Sequence, residues 1–303
     1  MPSSAPHRVV VTDSTASLPA ALVRERGLVV VPLQVVIGDE VLDEAVTEDG
    51  TVDGADGATP ARVAAALRAH RMVSTSRPNP AAMARVYAEL ASAGVDEVVA
   101  VHLSGEVSGT VESARSAARD APVPVHVVDT RQVGVATGYA ALAASRVLEA
   151  GGTGAEAADA AGRRAAAASS YFYVDTLEYL RRGGRIGAGA ALLGSALAVK
   201  PLLTITDGVV GPLERVRTTS KALGRLEALA VTAAEAADDR VEVGVAHLAN
   251  PDRAADLAQR LTERLGERLA HPEVRCDELG AVLGAHVGPG MVAVCVSPLV
   301  RAT

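Results

Sequence analysis

The sequence predicts an α/β protein of two domains: an N-terminal α/β domain with a parallel sheet and a C-terminal α/β domain with a mixed sheet. Three observations lead to this prediction. The chain has 303 residues, which is enough for two domains. In its first half, short β-branched segments alternate with alanine-rich segments of helical length, a pattern typical of a parallel sheet buried between helices. In its second half, the pair Asp207-Gly208 between two β-rich segments indicates a hairpin, so that sheet must contain antiparallel strands.

The first half divides into strands and helices in regular alternation. Strands are predicted from β-branched content at residues 8–11, 28–31, 97–102 and 123–128. Helices are predicted from alanine-rich composition at residues 60–70, 80–92, 111–119 and 139–149. The stretch 149–162 is rich in glycine and alanine and suits a loop that enters a helix between domains. We therefore predict domains at residues 1–155 and 156–303.

The second half follows a less regular order. Strands are predicted at residues 171–174, 201–205, 209–216, 241–248, 273–279 and 291–296. Helices are predicted at residues 177–182, 190–198, 221–237 and 252–268. The hairpin signal among these elements indicates a mixed sheet.

Composition restricts what the protein can bind. Apolar residues make up 49% of the chain but aromatic residues only 2%, so the core and any pocket within it must be lined mainly by Ala, Val and Leu. The formal net charge is -7 and the sequence has no basic stripe. Nucleic acid is therefore not expected as a partner, because nucleic-acid binding depends on clustered Lys and Arg.

The sequence predicts no metal, no cofactor and no integral membrane segment. Cys276 and Cys295 form no CxxC pair and have no nearby ligand pair for zinc. Residues 1–14 have no basic segment followed by an apolar one, so they do not resemble a signal peptide. No apolar run reaches the roughly 18 residues that a membrane-spanning helix needs. We therefore expect a cytoplasmic protein.

Asp13 and Ser14 lie in a polar segment directly after the first predicted strand. Side chains at the carboxyl ends of parallel strands face the crevice in which α/β proteins bind ligands, so both residues are candidates for ligand binding. The alternative is that one of them caps the helix that follows. The residues alone leave both interpretations open.

A second polar segment, residues 74–78, has three adjacent hydroxyl residues followed by Arg77 and Pro78. Hydroxyls and backbone N–H groups at the start of a helix can hold a carboxylate or a phosphate. An ordinary helix cap needs only one of these hydroxyls. Thr75 and Ser76 are therefore candidate ligand-binding residues.

A third polar segment, residues 102–110, follows the strand that begins at Glu97. Its glycines let a ligand approach the backbone closely, and its hydroxyls can donate hydrogen bonds. Ser108, Gly109 and Thr110 are therefore candidates for an anion site. The segment is not a G-x-S-x-G nucleophile elbow, because the glycine precedes the serine by three residues. We expect His102 to be a packed histidine at the strand end.

Two further segments are rich in glycine. Residues 181–189 contain three arginines but match neither common nucleotide-binding motif, so the arginines form either a docking surface for an acidic partner or a solvated edge. His286 stands among three glycines and a proline in residues 284–290. We expect it to be held in a turn as a positioned polar group, the alternative being a structural histidine satisfied within the fold.

Six motifs in order make the chain resemble the DegV family over nearly its whole length. They are VTDSTASLP (11–19), TSRP (75–78), HLSGEVSGT (102–110), VVDTRQVGVATGY (127–139), LRRGGRI (180–186) and GAHVGPG (284–290). The resemblance implies a non-enzymatic protein that binds a long-chain fatty acid, with the acyl chain in an apolar tunnel that we assign to the C-terminal domain. A separate fatty acid kinase that acts on the bound fatty acid is the implied partner.

The resemblance also implies roles for individual residues. Thr75 and Ser108 match the positions that hold the carboxylate, and His286 matches the histidine that completes the polar network. Arg217 matches a position linked to kinase docking. The chain departs from many relatives in having Gly105 and Glu106 after the serine of the HLS motif. A carboxylate there would repel a bound fatty acid unless it points to solvent.

Two other functions are compatible with the same residues. The chain would be an enzyme of acyl or phosphoryl transfer if Ser108 were a nucleophile and His286 its base, with Asp13 as the acid that orients the histidine. It would be a sensor or regulatory module if the pocket held another small acid.

Overall fold

The structure, a computed structural model, describes residues 6–44, 57–76, 79–187 and 199–299. The predicted helix at residues 190–198 and the last two residues of the TSRP motif lie outside these ranges. The described residues form three sheets with helices packed on them.

The first half of the chain forms a four-stranded parallel sheet, a small second sheet and helices α1 to α6. Its elements are β1 (Arg8–Asp13), α1 (Ala20–Glu25), β2 (Val29–Val31), β3 (Gln34–Ile37), β4 (Glu40–Asp43), α2 (Pro60–Arg68), β5 (Val73–Thr75), α3 (Pro80–Ser92), β6 (Glu97–His102), α4 (Thr110–Ala118), β7 (Val125–Asp129), α5 (Val135–Glu149) and α6 (Gly154–Ala167). The strand order is β2-β1-β6-β7, and every neighbouring pair is parallel. The predicted parallel sheet is confirmed.

The second half builds a six-stranded mixed sheet. Its elements are β8 (Ser169–Tyr173), α7 (Glu178–Arg182), β9 (Lys200–Thr206), β10 (Val209–Val216), α8 (Thr219–Glu235), β11 (Val241–His247), α9 (Pro251–Leu265), β12 (Arg275–Glu278), α10 (Ala281–Val287) and β13 (Val292–Pro298). The strand order is β10-β9-β8-β13-β11-β12, with only the last pair parallel. Asp207 and Gly208 form the predicted hairpin turn, both with positive φ.

A third sheet was not predicted. Strands β3, β4 and β5 form a small antiparallel sheet in the order β4-β3-β5. These strands are only three or four residues long, too short for a clear alternation of apolar and polar residues. The omission matters for the site, because Thr75 is the last residue of β5.

The prediction that a turn holds His286 is wrong, because His286 lies in the last turn of α10. Glycines bound this helix: Gly280 is its N-cap, and Gly288, with a φ of 76°, follows its end. The glycines therefore mark the ends of a seven-residue helix. Similarly, most of the stretch 149–162 is helical, since α6 begins at Gly154 behind a capping box formed by Thr153 and Glu156.

Helices α5 and α6 lie between the parallel sheet and the mixed sheet. Both contact strands of each sheet, and one cluster of buried apolar residues extends from Val10 and Val99 in the first half to Phe172 and Leu203 in the second. Helices α3 and α4 cover the other face of the parallel sheet, and α8 and α9 cover the other face of the mixed sheet. The two halves thus share a core, and the domain boundary near residue 155 stays a prediction.

A buried ion pair joins α6 to the mixed sheet. Arg164, only 1% exposed, pairs with Glu242 on β11, and its Nε donates to Ser297 Oγ on β13 at 2.6 Å. Glu242 also accepts hydrogen bonds from Arg146 at 2.6 Å and His271 at 2.8 Å. Burial opposes ionisation of Glu242, but these hydrogen bonds and the charge of Arg164 outweigh it and lower the pKa.

We expect Arg164→Ala to lower the free energy of unfolding by about 3–5 kcal/mol, because it removes the buried guanidinium that pairs with the buried Glu242 carboxylate. The matched control is Arg163→Ala on the same helix, which breaks an exposed pair with Asp159 and should cost about 1 kcal/mol or less. Urea denaturation of both variants measures the difference. Equal losses would contradict a special role for the buried pair.

Candidate ligand-binding site

A pocket opens between the two halves of the chain. Its cavity volume is about 80 Å³, and the empty space between its walls, open solvent included, is about 710 Å³. Its apolar wall includes Leu33, Leu103 and Val133 from the first half and Phe172, Val210 and Leu283 from the second. Its polar lining consists of Thr75, Ser76, Ser108, Gly109, Arg185 and His286.

Thr75 and His286 are brought together from opposite ends of the chain. Thr75 ends β5, which pairs with β3, and His286 lies on α10, which packs against both strands. Thr75 Oγ1 and His286 Nε2 are 2.9 Å apart and hydrogen bonded. Burial, together with the positive charge of Arg185, lowers the pKa of His286 to about 4. The imidazole is therefore neutral at neutral pH.

Ser108 lies in the loop between β6 and α4, where the sequence predicted an anion site. Its hydroxyl is 2.8 Å from Thr110 Oγ1, and it accepts a hydrogen bond from the backbone N–H of Thr110 at 3.3 Å. Thr110 is fully buried and does not line the pocket, so it orients Ser108 from behind. Ser76, which does line the pocket, donates to Gln34 Oε1 at 3.0 Å.

Asp13 and Ser14 do not line the pocket. The Asp13 carboxylate is fully buried, caps a short turn through the N–H of Thr15 at 3.1 Å and bonds His102 Nδ1 at 2.9 Å. The capping alternative thus describes Asp13, and His102 is a buried strand-end histidine as predicted. Ser14 Oγ accepts a hydrogen bond from the N–H of Leu33 at 3.0 Å. Because Leu33 lines the pocket, Ser14 supports its wall from outside.

Arg185 is a site residue that the sequence reasoning missed. It is half-buried, lines the pocket, and donates from Nε to the carbonyl of Val107 at 3.2 Å. The LRRGGRI motif singled out the segment, but its arginines were assigned to a surface or an edge. The sequence feature that distinguishes Arg185 is its position after two glycines, Gly183 and Gly184. These glycines separate it from Arg181 and Arg182, which are exposed.

Glu106 points away from the pocket. Its side chain is about half exposed and lies 3.8 Å from the Arg131 guanidinium. Its backbone N–H donates to Ser104 Oγ at 3.2 Å, and Ser104 donates to the carbonyl of Gly208 at 2.8 Å. The carboxylate therefore lies beside the hairpin turn of the mixed sheet, in the solvent-facing position that the site requires.

The polar groups of the pocket suit a small anion. The Ser108 hydroxyl and the hydrogen-bonded pair of Thr75 and His286 can each donate one hydrogen bond to a ligand, and Arg185 supplies a positive charge. In the described part of the chain, no group of three or more His, Cys, Asp or Glu residues is arranged to hold a metal ion.

Arg217, the predicted docking residue, is exposed just after β10 and does not line the pocket.

Within the four described ranges, no helix combines the length and the apolar character needed to cross a membrane.

We expect His286→Asn to reduce the pH dependence of stability between pH 6.5 and 4. In the unfolded chain His286 takes up a proton near pH 6.5, whereas in the folded protein it does so only near pH 4. Acidification through this window therefore favours unfolding of the wild type, by up to roughly 3 kcal/mol relative to the variant. Urea denaturation of both proteins at several pH values measures the difference, and parallel profiles would contradict a buried, neutral His286.

Comparison with known proteins places the chain in a family. The family model described as "Uncharacterised protein, DegV family" matches residues 8–299. DegV domain-containing protein SCO2569 of Streptomyces coelicolor is 53% identical over 96% of this chain and 98% of its own length.

Two solved structures cover nearly all of both chains. One is described as showing fatty acid binding of a DegV family protein from Thermus thermophilus; it is 34% identical, covers 97% of this chain and 100% of its own, and has a TM-score of 0.85. The other, DegV of Bacillus subtilis, described as a fatty acid binding protein, is 28% identical with the same coverage and TM-score. The chain belongs to the DegV family.

Proposed function

We propose that this protein binds a long-chain fatty acid in the pocket between its two halves. The carboxylate lies at Thr75, Ser108, His286 and Arg185, and the acyl chain runs along the apolar wall toward the second half of the chain. The observation that carries the proposal is the asymmetry of the pocket: anion-binding groups converge on a cavity whose remaining wall is aliphatic apart from one phenylalanine.

Both parts of a fatty acid find a matching surface. Each buried CH₂ group contributes about 0.8 kcal/mol, so a long chain supplies most of the affinity. The carboxylate needs donors to replace its lost water, and its negative charge is matched by Arg185, since His286 is neutral. The relatives from Thermus thermophilus and Bacillus subtilis, both described as binding fatty acids, support this choice among small acids.

The hydrogen bonds favour binding over nucleophilic catalysis. Ser108 is bonded to Thr110, and His286 is bonded to Thr75. Asp13, the acid considered for orienting His286, is bonded to His102 instead. A serine nucleophile needs its base within hydrogen-bonding reach and an acid behind that base, and these contacts do not assemble such a chain.

We further propose that the bound fatty acid is presented to a separate fatty acid kinase. The pocket is partly open at its surface, so a partner enzyme could reach the carboxylate. Arg217 is the proposed docking residue: it is exposed and offers a permanent positive charge to an acidic partner surface. A cytoplasmic location, which such a partnership requires, stays a prediction.

We expect protein purified from a bacterial host to carry long-chain fatty acid, released by denaturing extraction and identified by mass spectrometry. After removal of the lipid, the protein should bind added oleate or palmitate, because the acyl chain can again transfer from water to the apolar wall. A protein that is empty on purification and also fails to bind both added fatty acids would contradict the proposed function.

We expect the double variant Thr75→Ala, Ser108→Ala to bind oleate on the order of a hundredfold more weakly, because two hydrogen bonds to a charged group are lost. Titration calorimetry on lipid-free protein measures the affinity. Ser92→Ala is the control, since that exposed hydroxyl bonds to the carbonyl of Ala88 within α3. Unchanged affinity in the double variant would remove both residues from the proposed site.

A further inference from the structure

Helix α10 forms one side of the pocket but has little stability of its own. It contributes Val282, Leu283, His286 and Val287 to the lining. It has only seven residues, and isolated helices of this length are unstable in water. The N–H groups of its first turn have no partners within the helix. Contacts with the rest of the chain must therefore fix where α10, and with it His286, lies.

One such contact is made by a buried carboxyl group from the first half. Glu44, only 4% exposed, accepts a hydrogen bond at Oε1 from the N–H of Val282 at 2.8 Å. Its own N–H donates to the carbonyl of Leu33 at 2.7 Å. A Cβ atom on Gly280 would lie 2.4 Å from Glu44 Oε1. The backbone at Gly280 thus lies so close to the Glu44 carboxyl group that a larger residue at position 280 would displace the carboxyl group.

The surroundings of Glu44 leave its charge poorly stabilised. Burial raises its pKa to about 7, although the nearby Ser14 hydroxyl and the N–H groups at the start of α10 lower it in part. The nearby Asp13 adds to the rise, and Glu44 Oε2 has no hydrogen-bond partner among the described residues. A buried ionisable group costs stability, whereas an apolar residue here would not. What Glu44 supplies is a hydrogen-bond acceptor for the first turn of α10.

We propose that Glu44 is a positioning residue, which fastens the first turn of α10 to the first half of the chain and thereby holds His286 against Thr75. The proposal rests on the proposed fatty-acid function, because it assigns Glu44 an effect on ligand affinity. Ser14 lies near Glu44, and its hydroxyl accepts a hydrogen bond from the N–H of Leu33. Ser14 is thereby linked to the site without touching the ligand.

The effect on His286 follows from the length of the helix. Four residues, or about 6 Å of helix, separate Val282 from His286. A shift of α10 by about 1 Å would lengthen the 2.9 Å bond between His286 and Thr75 beyond hydrogen-bonding distance. The imidazole would then lose its place beside Thr75 and become more exposed.

The experiment compares lipid-free Glu44→Ala and Glu44→Gln with the wild type. Oleate affinity is measured by calorimetry, and the titration of His286 is followed by NMR, with its signal assigned from a His286→Asn sample. Leu261→Ala is the control for general destabilisation, because Leu261 is fully buried beneath the opposite face of the mixed sheet.

We expect Glu44→Ala to bind oleate about tenfold or more weakly, with the pKa of His286 raised from about 4 toward its ordinary value. In Glu44→Gln the amide oxygen still accepts the bond from Val282, so affinity should stay within about threefold of the wild type and His286 should remain neutral to low pH. Leu261→Ala should change neither quantity, despite its lower stability.

The His286 titration separates displacement from a change of charge. Removing the negative charge of Glu44 would by itself lower the pKa of His286, so a rise reports movement of the ring. Among the described residues, the other ionisable groups near His286 are Arg185 and Tyr179, with Arg68 close to Tyr179. None of them is altered in these variants.

The outcomes that overturn the proposal are distinct. If the wild type binds oleate and Glu44→Ala binds it equally well with an unchanged His286 titration, Glu44 does not position the site. An equal loss in Glu44→Gln and Glu44→Ala would also overturn it. If Glu44→Ala fails to fold, Gly280→Ala takes its place, because the added Cβ would displace the Glu44 carboxyl group, and it must show changes in the same directions. A wild type that binds no fatty acid overturns the proposed function, and this inference with it.

Discussion

The packing of α5 and α6 between two different sheets is the constraint on which the rest of the structure depends. A helix layer shared by two sheets must be apolar on both sides, and α5 accordingly buries most of its residues, many of them alanines. This layer places the carboxyl ends of β1 and β6 near the mixed sheet. The pocket lies at that junction, and both halves of the chain line it.

Alanine-rich packing also explains the character of the cavity. Small side chains let the helices and sheets approach closely. The apolar wall of the pocket consists of valines and leucines with one phenylalanine. Such a wall makes dispersion contacts with a flexible aliphatic chain but offers no polar group along its length. Selection among ligands would therefore depend on the polar end of the pocket. There Thr75, Ser108, Arg185 and His286 come from four separate segments.

The polar end of the pocket depends on residues that do not line it. Thr110 orients Ser108, Ser14 supports Leu33, and Glu44 bonds the start of α10. These supports are themselves buried or half-buried, so they hold their positions without competition from water. Asp13 and His102 form a separate buried pair next to the same wall. The polar segment 12–15 is thus a structural support of the pocket wall.

Local patterns were enough to predict the two α/β halves, the parallel and mixed sheets, the hairpin at Asp207-Gly208 and the hydroxyl segments around Thr75 and Ser108. These features depend on periodicity and turn chemistry, which are readable along the chain. The folded arrangement was needed to learn that Arg185 lines the pocket, that Asp13 does not, and that Glu106 turns to solvent. Each of those outcomes depends on contacts between residues far apart in sequence, which local patterns do not specify.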